Sequence, residues 1–380
     1  MNYETFALER WMTRWELEVT HDICESGIKP LSLREVFSLL PKDTADTLRE
    51  KIETVPLGYS EARGTIGLRT ALADTYQYTS ADEILVTTGA IEANFLLFNV
   101  LVQSGDHVVV VDPAYQQLQS VPKALGAEVD LLSVVHKDGN YYDLDELRAL
   151  VTPNTRLIVI NTPHNPTGTM LSDDDLNQVI EIARENDAWI LCDEAYRWIE
   201  HPGGESIPAP MRGRYEKGIS VGTVSKPFGV PGLRIGWFAA PAEIVQAAWG
   251  VRDYVSLSPA KLSDIITTEI ITLRDAIFAR NSAIIGENMQ TANAWFADNS
   301  DLVSWVPPRA GLLAMMKYSA DIDSTTLADR LAGEAGVMLA PGDAFGMPGT
   351  LRIGVGQDPQ IFREGLERTS AFLRSVRINS

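Results

Sequence analysis

Cysteine, histidine and positive charge are all scarce in this chain of 380 residues. The two cysteines, Cys24 and Cys192, lie far apart and form no CxxC pair, so we expect no disulfide framework and a reducing, cytoplasmic location. The five histidines show neither HxxxH nor HExxH spacing, so no metal site is expected. Thirty-two basic against fifty-one acidic residues give a net charge of −19, which argues against nucleic acids and anionic membranes as partners.

Long apolar runs are also missing. The longest, such as FLLFNVLV at 95–102, are far shorter than a membrane span. The start, MNYETFALERW, carries acidic residues and lacks the apolar core of a secretory signal. An apolar content of 45% and a charged content of 22% are those of an ordinary globular protein, and the length allows two domains.

The middle of the chain alternates short β-branched runs with amphipathic helices. The strand candidates are 84–88, 107–112, 157–161, 189–194, 219–224 and 233–239. Runs such as VVVV at 108–111 are typical of strands buried on both faces, as in a parallel sheet covered by helices. The pattern predicts an α/β fold, with a mostly parallel sheet in a large cofactor-binding domain at 45–258.

The two ends of the chain have a different pattern. A long helical stretch at 259–298, strand candidates at 312–317 and 351–355 and a closing helix at 359–376 predict a smaller α+β C-terminal domain at 259–380. Residues 1–44 begin with an amphipathic helix candidate at 6–19, and we expect them to form an arm that packs on the small domain and the active site.

Three stretches at or just after the ends of predicted strands contain candidate ligand-binding residues, because ligands bind at strand ends in open α/β sheets. Gly89, in TTGAIEANF, opens a helix whose N–H groups could bind phosphate, although glycine is common after a strand. Asn165, in NTPHNPTG, is either held towards a ligand by a stiff turn or simply forms the turn. Asp193, in WILCDEAYRW, needs a cationic partner or several hydrogen bonds, and Tyr196 could reach the same ligand.

Lys226 lies in SVGTVSKPFGVPGLRIGW, near Thr223, Ser225 and Arg234. Two hydroxyls and a guanidinium suit phosphate oxygens, which leaves the amine for carbonyl chemistry. Together these stretches require a ligand with a phosphate, a protonated ring nitrogen, a phenolic oxygen and an aldehyde. Pyridoxal 5′-phosphate (PLP) has all four, so Lys226 is predicted to hold it as a Schiff base.

The sequence resembles the class I/II aminotransferases, which are fold type I PLP enzymes, over nearly the whole chain. The matching motifs are LGYSEARGTIGLRTALA (57–73), TTGAIEA, DPAY, NTPHNPTG, DEAY, SK…PGLRIGW, PGDAFG and LRIGVG (351–356). The resemblance implies that Tyr115 stacks on the cofactor ring and that Asp193 binds the pyridine nitrogen. It also implies that Tyr196 and Asn165 bind the ring oxygen.

The same resemblance implies the rest of the site. The phosphate would be held by Gly89, Ala90, Thr223, Ser225 and Arg234. Tyr59 would reach the phosphate of the neighbouring subunit, which implies a homodimer with shared active sites. Arg352 would clamp the α-carboxylate of an amino acid substrate; the alternative for Arg352 is an ordinary surface ion pair.

The predicted catalytic residues explain how a carbanion forms at the substrate Cα, but they do not decide which reaction follows. Lys226, once displaced by an amino acid, becomes the base that removes the Cα proton, and Asp193 keeps the cofactor ring protonated. Reprotonation on the cofactor leads to transamination, which needs an oxo acid as acceptor. Loss of a leaving group followed by internal addition leads to elimination or cyclisation, which needs none.

The N-terminal stretch ERWMTRWELEVTHDICESGIKPLSL (9–33) bears on this choice. Its DI-x-x-SG pattern resembles the capreomycidine synthases and the related enduracididine-forming arginine cyclases, and the resemblance covers about thirty residues. Ser26 and Gly27 are candidates for substrate contact, because they align with a glycine of the N-terminal stretch in ordinary aminotransferases.

Glu9, Thr13 and Glu16 share one face of the predicted N-terminal helix. Their carboxylates could pair with a guanidinium in the active site, or they could form a solvated face balanced by Arg10 and Arg14. The sequence therefore predicts a PLP enzyme for a cationic, arginine-like amino acid, with cyclisation of a hydroxyarginine as one reaction and ordinary transamination as the alternative. A non-catalytic sensor is disfavoured, because no helix-turn-helix fits before residue 45 and the catalytic set is complete.

Overall fold

A seven-stranded sheet lies at the centre of the computed structural model, which describes residues 3–137 and 139–378. The strands, in chain order, are β1 (His21–Asp22), β2 (Ile84–Thr87), β3 (His107–Asp112), β4 (Glu128–Ser133), β5 (Val135–His136), β6 (Gly139–Asn140), β7 (Thr155–Asn161), β8 (Trp189–Asp193), β9 (Gly218–Thr223), β10 (Gly236–Ala239), β11 (Val303–Trp305), β12 (Leu313–Tyr318), β13 (Val337–Met338), β14 (Ala340–Pro341) and β15 (Thr350–Gly354).

Helices cover the sheet and build most of the remaining structure. In chain order they are α1 (Ala7–Trp15), α2 (Leu33–Leu39), α3 (Lys42–Thr54), α4 (Ile66–Ala73), α5 (Ala90–Leu101), α6 (Gln117–Leu125), α7 (Leu144–Leu150), α8 (Asp173–Glu185), α9 (Ala242–Arg252), α10 (Lys261–Thr272), α11 (Arg274–Asp298), α12 (Ser324–Arg330) and α13 (Pro359–Ile378). No helix in the described part of the chain is both long and apolar enough to cross a membrane.

The large sheet has the strand order β2-β10-β9-β8-β7-β3-β4, and β10 alone runs antiparallel to its neighbours. The predicted α/β fold with a mostly parallel sheet is therefore confirmed. The valines of β3 are buried, as expected for a strand covered on both faces. Because the other six strands run the same way, their carboxyl ends share one edge of the sheet, where Gly89, Asn165 and Asp193 lie.

A second, antiparallel sheet, β11-β12-β15-β14, lies in the C-terminal part of the chain. Leu8, Trp11 and Met12 of α1 are buried in the same apolar core as β12 and β15. Strand β1 pairs in parallel with β13. The N-terminal segment thus packs against elements of the C-terminal part of the chain, while the arm, the two domains and their boundaries at residues 44 and 258 stay a prediction.

Several boundaries differ from the sequence-based expectation. The predicted helix at 6–19 ends at Trp15, because Leu17 is 89% exposed and the chain turns there towards β1. The strand predicted to begin at 233 begins at Gly236, because Arg234 adopts a left-handed backbone conformation with φ 54°. The helical stretch at 259–298 is two helices, since Leu273 leaves helical geometry.

One strand of the large sheet was not predicted. Strand β4 lies at the sheet edge, and most of its residues are exposed or half-buried. Its sequence, EVDLLS, therefore lacks the continuous apolar run that marks the central strands.

Candidate active site

Asp193 ends β8 and is buried at the carboxyl edge of the sheet. Its Oδ2 accepts a hydrogen bond from Asn94 Nδ2 of α5 at 2.9 Å, and its Oδ1 accepts one from the backbone N–H of Ala195 at 3.0 Å. Burial raises the pKa of Asp193 above its ordinary value, and the two hydrogen bonds only partly offset that effect. The Asp193 carboxylate accepts both hydrogen bonds from neutral donors, so it has the several hydrogen bonds that we expected for a buried carboxylate without a cationic partner.

Asn161 joins the ends of β7 and β8 to the turn that contains Asn165. Asn161 Nδ2 donates to the backbone carbonyl of Asp193 at 2.8 Å, and its Oδ1 accepts from the backbone N–H of Asn165 at 2.7 Å. The Asn165 side chain faces Arg352, whose Nη1 donates to Asn165 Oδ1 at 3.4 Å. Asn165 therefore does more than form a turn, because its side chain lies among the predicted site residues.

Lys226 follows β9, and its amine contacts the N-terminal segment. Its Nζ donates to Ser26 Oγ at 2.6 Å, and Glu25 Oε1 lies 3.5 Å away. The lysine side chain is 23% exposed, so it is only partly buried. The structure thus brings the predicted cofactor lysine to Ser26, one of the two predicted substrate contacts.

The predicted phosphate residues meet where β2, β10 and α5 come together. Gly89 precedes α5 with φ 82°, and a Cβ built on it would lie 2.8 Å from Arg234 Nη2. The guanidinium therefore lies against Gly89, the residue that precedes the helix. Across the sheet, Thr223 Oγ1 donates to Ser225 Oγ at 3.0 Å. A helix N-terminus, two hydroxyls and one guanidinium form a donor set for a phosphate.

Arg352 lies on β15 and is only 2% exposed, so the alternative of a surface ion pair is wrong. Its Nη2 donates to the carbonyl of Cys24 at 3.0 Å, and its buried Nε has no partner among the described residues. A buried guanidinium with an unused N–H is suited to a carboxylate. Tyr196 is close by: burial raises its pKa, while Arg352 and a hydrogen bond to Ser26 act in the opposite direction.

Gly27 is buried because the segment before it packs closely on the end of β15. A Cβ on Gly354 would lie 2.5 Å from the Glu25 carbonyl oxygen, and one on Gly356 would lie 2.5 Å from that of Gly27. Gln357 Nε2 donates to the same Gly27 carbonyl at 3.1 Å. This close approach fixes the segment against the strand that carries the substrate-binding arginine candidate.

Tyr115 connects helix α1 to the site. Its hydroxyl donates to Glu9 Oε1 at 2.8 Å, and its ring centroid lies 4.8 Å from that of Phe6. Burial raises the pKa of Tyr115, and the Glu9 carboxylate raises it further. Glu9 and Thr13 line one surface cleft along α1. Of the three predicted residues on this face, Glu9 is therefore the one that touches another predicted site residue.

Glu16 lies beyond the last residue of α1, as its C-terminal cap, and is exposed. Arg14, which was expected to balance the glutamates, instead pairs with Asp329 at 3.0 Å. Tyr59 lies in the loop between α3 and α4, and its side chain is 83% exposed. Full exposure of a large aromatic side chain in a single chain is compatible with a contact across subunits.

Three residues of this site were not singled out from the sequence, namely Asn161, which is the first residue of the NTPHNPTG motif, Asn94 and Glu25. Asn94 is buried on α5, whose sequence is otherwise largely apolar, and a polar side chain at such a position signals a specific partner. Glu25 gave no such signal, because it is one of fifty-one acidic residues and its neighbour Lys226 is about 200 positions away.

The chain belongs to the aminotransferase class I and II family, whose model matches residues 40–368. It is 30% identical over 349 residues to a capreomycidine synthase of Streptomyces vinaceus, covering 91% of this chain and 88% of that protein. It is 26% identical over 326 residues to the arginine–pyruvate transaminase AruH of Pseudomonas aeruginosa, covering 82% and 81%.

Solved structures agree with the sequence comparison. A PLP-dependent aminotransferase from Streptococcus suis superposes with a TM-score of 0.92 at 33% identity, covering 99% of both chains. The PLP-dependent cyclase OrfR superposes with a TM-score of 0.89 at 32% identity, covering 99% of this chain and 98% of that one. The predicted family, the fold type I architecture and the PLP cofactor are thereby confirmed, and the protein is a PLP-dependent enzyme.

The residues present fit this cofactor. The glycines at 89 and 236 leave a backbone cradle at the start of α5 that a Cβ would fill. An amine, a buried carboxylate and an arginine with an unused N–H converge from three parts of the chain at Lys226, Asp193 and Arg352. This donor set matches the phosphate, aldehyde and ring nitrogen of PLP and the carboxylate of an amino acid.

Proposed function

We propose that the enzyme acts on a cationic, arginine-like L-α-amino acid and cyclises a hydroxylated form by elimination and internal addition. The observation that carries the substrate class is the Glu9 carboxylate, which is held by Tyr115 at the edge of the site. A carboxylate at that position suits a guanidinium better than an acidic or apolar side chain. The capreomycidine synthase and the arginine–pyruvate transaminase among its relatives support the same substrate class.

We assign the cofactor contacts by residue. Lys226 would hold PLP covalently, Asp193 would pair with the ring nitrogen, Asn165 and Tyr196 would bind the ring oxygen, and Tyr115 would stack on the ring. The phosphate would be bound by Gly89, Ala90, Thr223, Ser225 and Arg234, with Tyr59 of the neighbouring subunit. When bound, PLP supplies an electron sink for the carbanion at the substrate Cα.

The remaining steps fall to the protein. Arg352 would bind the α-carboxylate through its unused N–H, and Ser26 and Gly27 would line the substrate side of the site. Lys226, with its amine free, would remove the Cα proton. Glu9, with Thr13 and Glu16 further along the same face, would attract the cationic end of the substrate and set its orientation.

Ordinary transamination to a 2-oxo acid is the second candidate, and the similarity to an arginine–pyruvate transaminase favours it. The two reactions are separated by mixing holoenzyme with arginine and hydroxyarginines without any oxo acid. Many turnovers with a product lighter by one water support the cyclase. One oxo acid per site, followed by a halt, supports the aminotransferase.

The substrate class is tested separately with Glu9→Gln and Glu16→Gln. We expect Glu9→Gln to raise KM for cationic amino acids by about tenfold, the equivalent of one lost hydrogen-bonded charge contact of ~1.4 kcal/mol. Glu18→Gln, an exposed acid nearby, is the matched control. An unchanged KM for every cationic substrate in both variants would refute the guanidinium assignment.

A homodimer with shared sites is part of the same proposal. Lys226→Ala and Tyr59→Ala subunits should each be impaired alone. Mixed after partial unfolding, they should recover activity, because one site of each heterodimer then has both residues intact. Light scattering that gives the mass of one chain, or mixtures without recovery, would contradict shared sites.

A further inference from the structure

Lys226, Ser26 and Glu25 form a contiguous polar group within the proposed site. Lys226 Nζ lies 2.6 Å from Ser26 Oγ and 3.5 Å from Glu25 Oε1, and Ser26 Oγ lies 3.4 Å from the same carboxylate oxygen. The serine hydroxyl can accept from the amine and donate to the carboxylate, since a hydroxyl does both. A path for a proton therefore runs from the lysine to Glu25.

The segment that presents this group is fixed on both sides. Asp22 Oδ1 accepts the backbone N–H groups of Cys24 and Glu25, each at 2.9 Å. The backbone N–H of Gly354 donates to the Ile23 carbonyl at 2.8 Å. Held by its own turn and by strand β15, the segment keeps Glu25 and Ser26 at the amine without relying on a ligand.

Glu25 is the unassigned member of the group. Its side chain is 39% exposed, so it is half-buried beside Lys226. Burial alone would raise the pKa of Glu25, but Lys226 and Arg352 outweigh it and hold the pKa below its ordinary value. The charged and titratable groups that face Glu25 are Lys226, Arg352, Asp22, Cys24 and Tyr196.

Substrate binding would change this balance. A substrate carboxylate on Arg352 would neutralise one of the two cations that keep Glu25 ionised. Glu25 would then take up a proton more readily, at the stage when Lys226 has one to pass on.

We propose that Ser26 and Glu25 are further catalytic residues, which hold the proton that Lys226 removes from the substrate and return it to the leaving hydroxyl. This inference rests on the proposed elimination. The Cα–H bond breaks and leaves its electron pair on the substrate, while the proton goes to Lys226 Nζ. Lys226 passes a proton to Ser26, and the hydroxyl proton of Ser26 goes to Glu25. Hydroxide departs with its bonding pair and takes the proton from Glu25, so one water is lost without an oxidant.

The first test is spectroscopic and needs no turnover. In holoenzyme, Glu25→Gln removes a negative charge beside Nζ, and it should move the pH midpoint of the visible cofactor band down by about one unit. Ser26→Ala keeps the charge and should leave the midpoint nearly unchanged. Glu18→Gln is the control for the loss of a distant exposed acid. An unchanged midpoint in Glu25→Gln would show that Glu25 does not act on the lysine nitrogen.

The second test compares two rates in D2O, namely loss of water and incorporation of deuterium at Cα. A general acid contributes about 10²–10⁴-fold, so the ratio of water loss to deuteration should fall by about a hundredfold or more in Glu25→Gln and in Ser26→Ala. Glu25→Asp, which keeps a carboxylate, should restore part of the ratio. A merely structural role would lower both rates together, and an unchanged ratio would overturn the proposal.

The experiments distinguish failure of the proposed cyclase function from failure of the role proposed for Glu25. Wild-type enzyme that only transaminates arginine-like substrates would refute the cyclase. The elimination role of Glu25 would fall with it, and the midpoint would show whether Glu25 still acts on Lys226. Wild-type enzyme that loses water normally, while Glu25→Gln matches Glu18→Gln in both measurements, would refute Glu25 alone.

Discussion

Gly236→Ala adds one methyl group where β10 meets the start of α5. We expect this substitution to weaken PLP binding. A Cβ on Gly236 would lie 2.3 Å from the carbonyl carbon of Gly89 and 2.4 Å from the backbone nitrogen of Ala90. Ordinary contacts between such atoms are about 3.5–4.0 Å, so one side has to move by about 1 Å. Gly236 is paired with Thr87 on one side and Thr223 on the other, so the start of α5 must yield.

The size of the effect follows from the cost of overpacking. Inserting a methyl group into a packed site costs about 1–3 kcal/mol. If the strain falls on the phosphate-binding turn, Gly236→Ala should weaken PLP binding by about 5- to 150-fold, at 1.4 kcal/mol for each factor of ten. The assay is titration of apoenzyme with PLP by visible absorbance, together with urea unfolding of the apoenzyme.

Gly250→Ala is the matched control. Gly250 is exposed in α9, and a Cβ there would meet nothing within 4 Å. Alanine for glycine in a helix is favourable by about 0.5–1 kcal/mol, so this variant should keep the PLP affinity and be slightly more stable. Gly236→Ala with a PLP affinity within twofold of wild type and unchanged apoenzyme stability would refute the assignment of this turn to the phosphate.

Three further predictions concern other contacts. Asn94→Leu removes a hydrogen bond that lowers the pKa of Asp193, so the acid limb of kcat/KM should move up by about one pH unit, and an unmoved pH profile would refute this. Asp329→Ala leaves two indole N–H groups of α1 without their acceptor and should cost about 1–3 kcal/mol, which urea unfolding measures. Lys29 lowers the pKa of Asp358 in the folded protein. The pair therefore stabilises the fold at pH values above the pKa of Asp358 in the unfolded chain, and this stability is lost as the pH falls through the pKa of Asp358 in the folded protein. Asp358→Asn should therefore destabilise by less than about 1 kcal/mol at pH 7 and not at all at pH 2, and equal effects at both would contradict it.

The sheet and its polar edge could be predicted because they depend on local pattern. Buried parallel strands have recognisable apolar runs, and the rule that ligands bind at their carboxyl ends directed attention to Asp193 and Lys226, which lie at the end of β8 and just after β9. Strand β4 was missed, since an edge strand with exposed residues has no such run. The end of α1 was missed, since Val19 continues the helical apolar spacing of Trp11 and Trp15 in sequence, although the helix ends at Trp15.

The contacts between distant segments could not be predicted. Asn94 meets Asp193 across 99 positions, and Glu25 meets Lys226 across 201. Periodicity describes only neighbours in sequence, so it identifies which residues are buried but not which pairs meet. Arg352 was singled out by its motif alone, and only the structure shows that its partners are the backbone carbonyl of Cys24 and the side chain of Asn165.

The proposed cofactor side and the proposed substrate side of the site have different physical origins. The cofactor side is formed by strand ends of one sheet, whose register fixes Gly236 against the start of α5. The substrate side is formed where the segment around Glu25 packs on β15, with Gly354 and Gly356 allowing the backbones to touch. The segment is held by backbone contacts with β15 and by the side chains of Asp22, Arg352 and Gln357, and none of these three residues belongs to the large sheet. Glu25 and Ser26 lie on that segment and contact Lys226, so they are the positions at which we expect substitutions to alter the proposed reaction rather than the sheet.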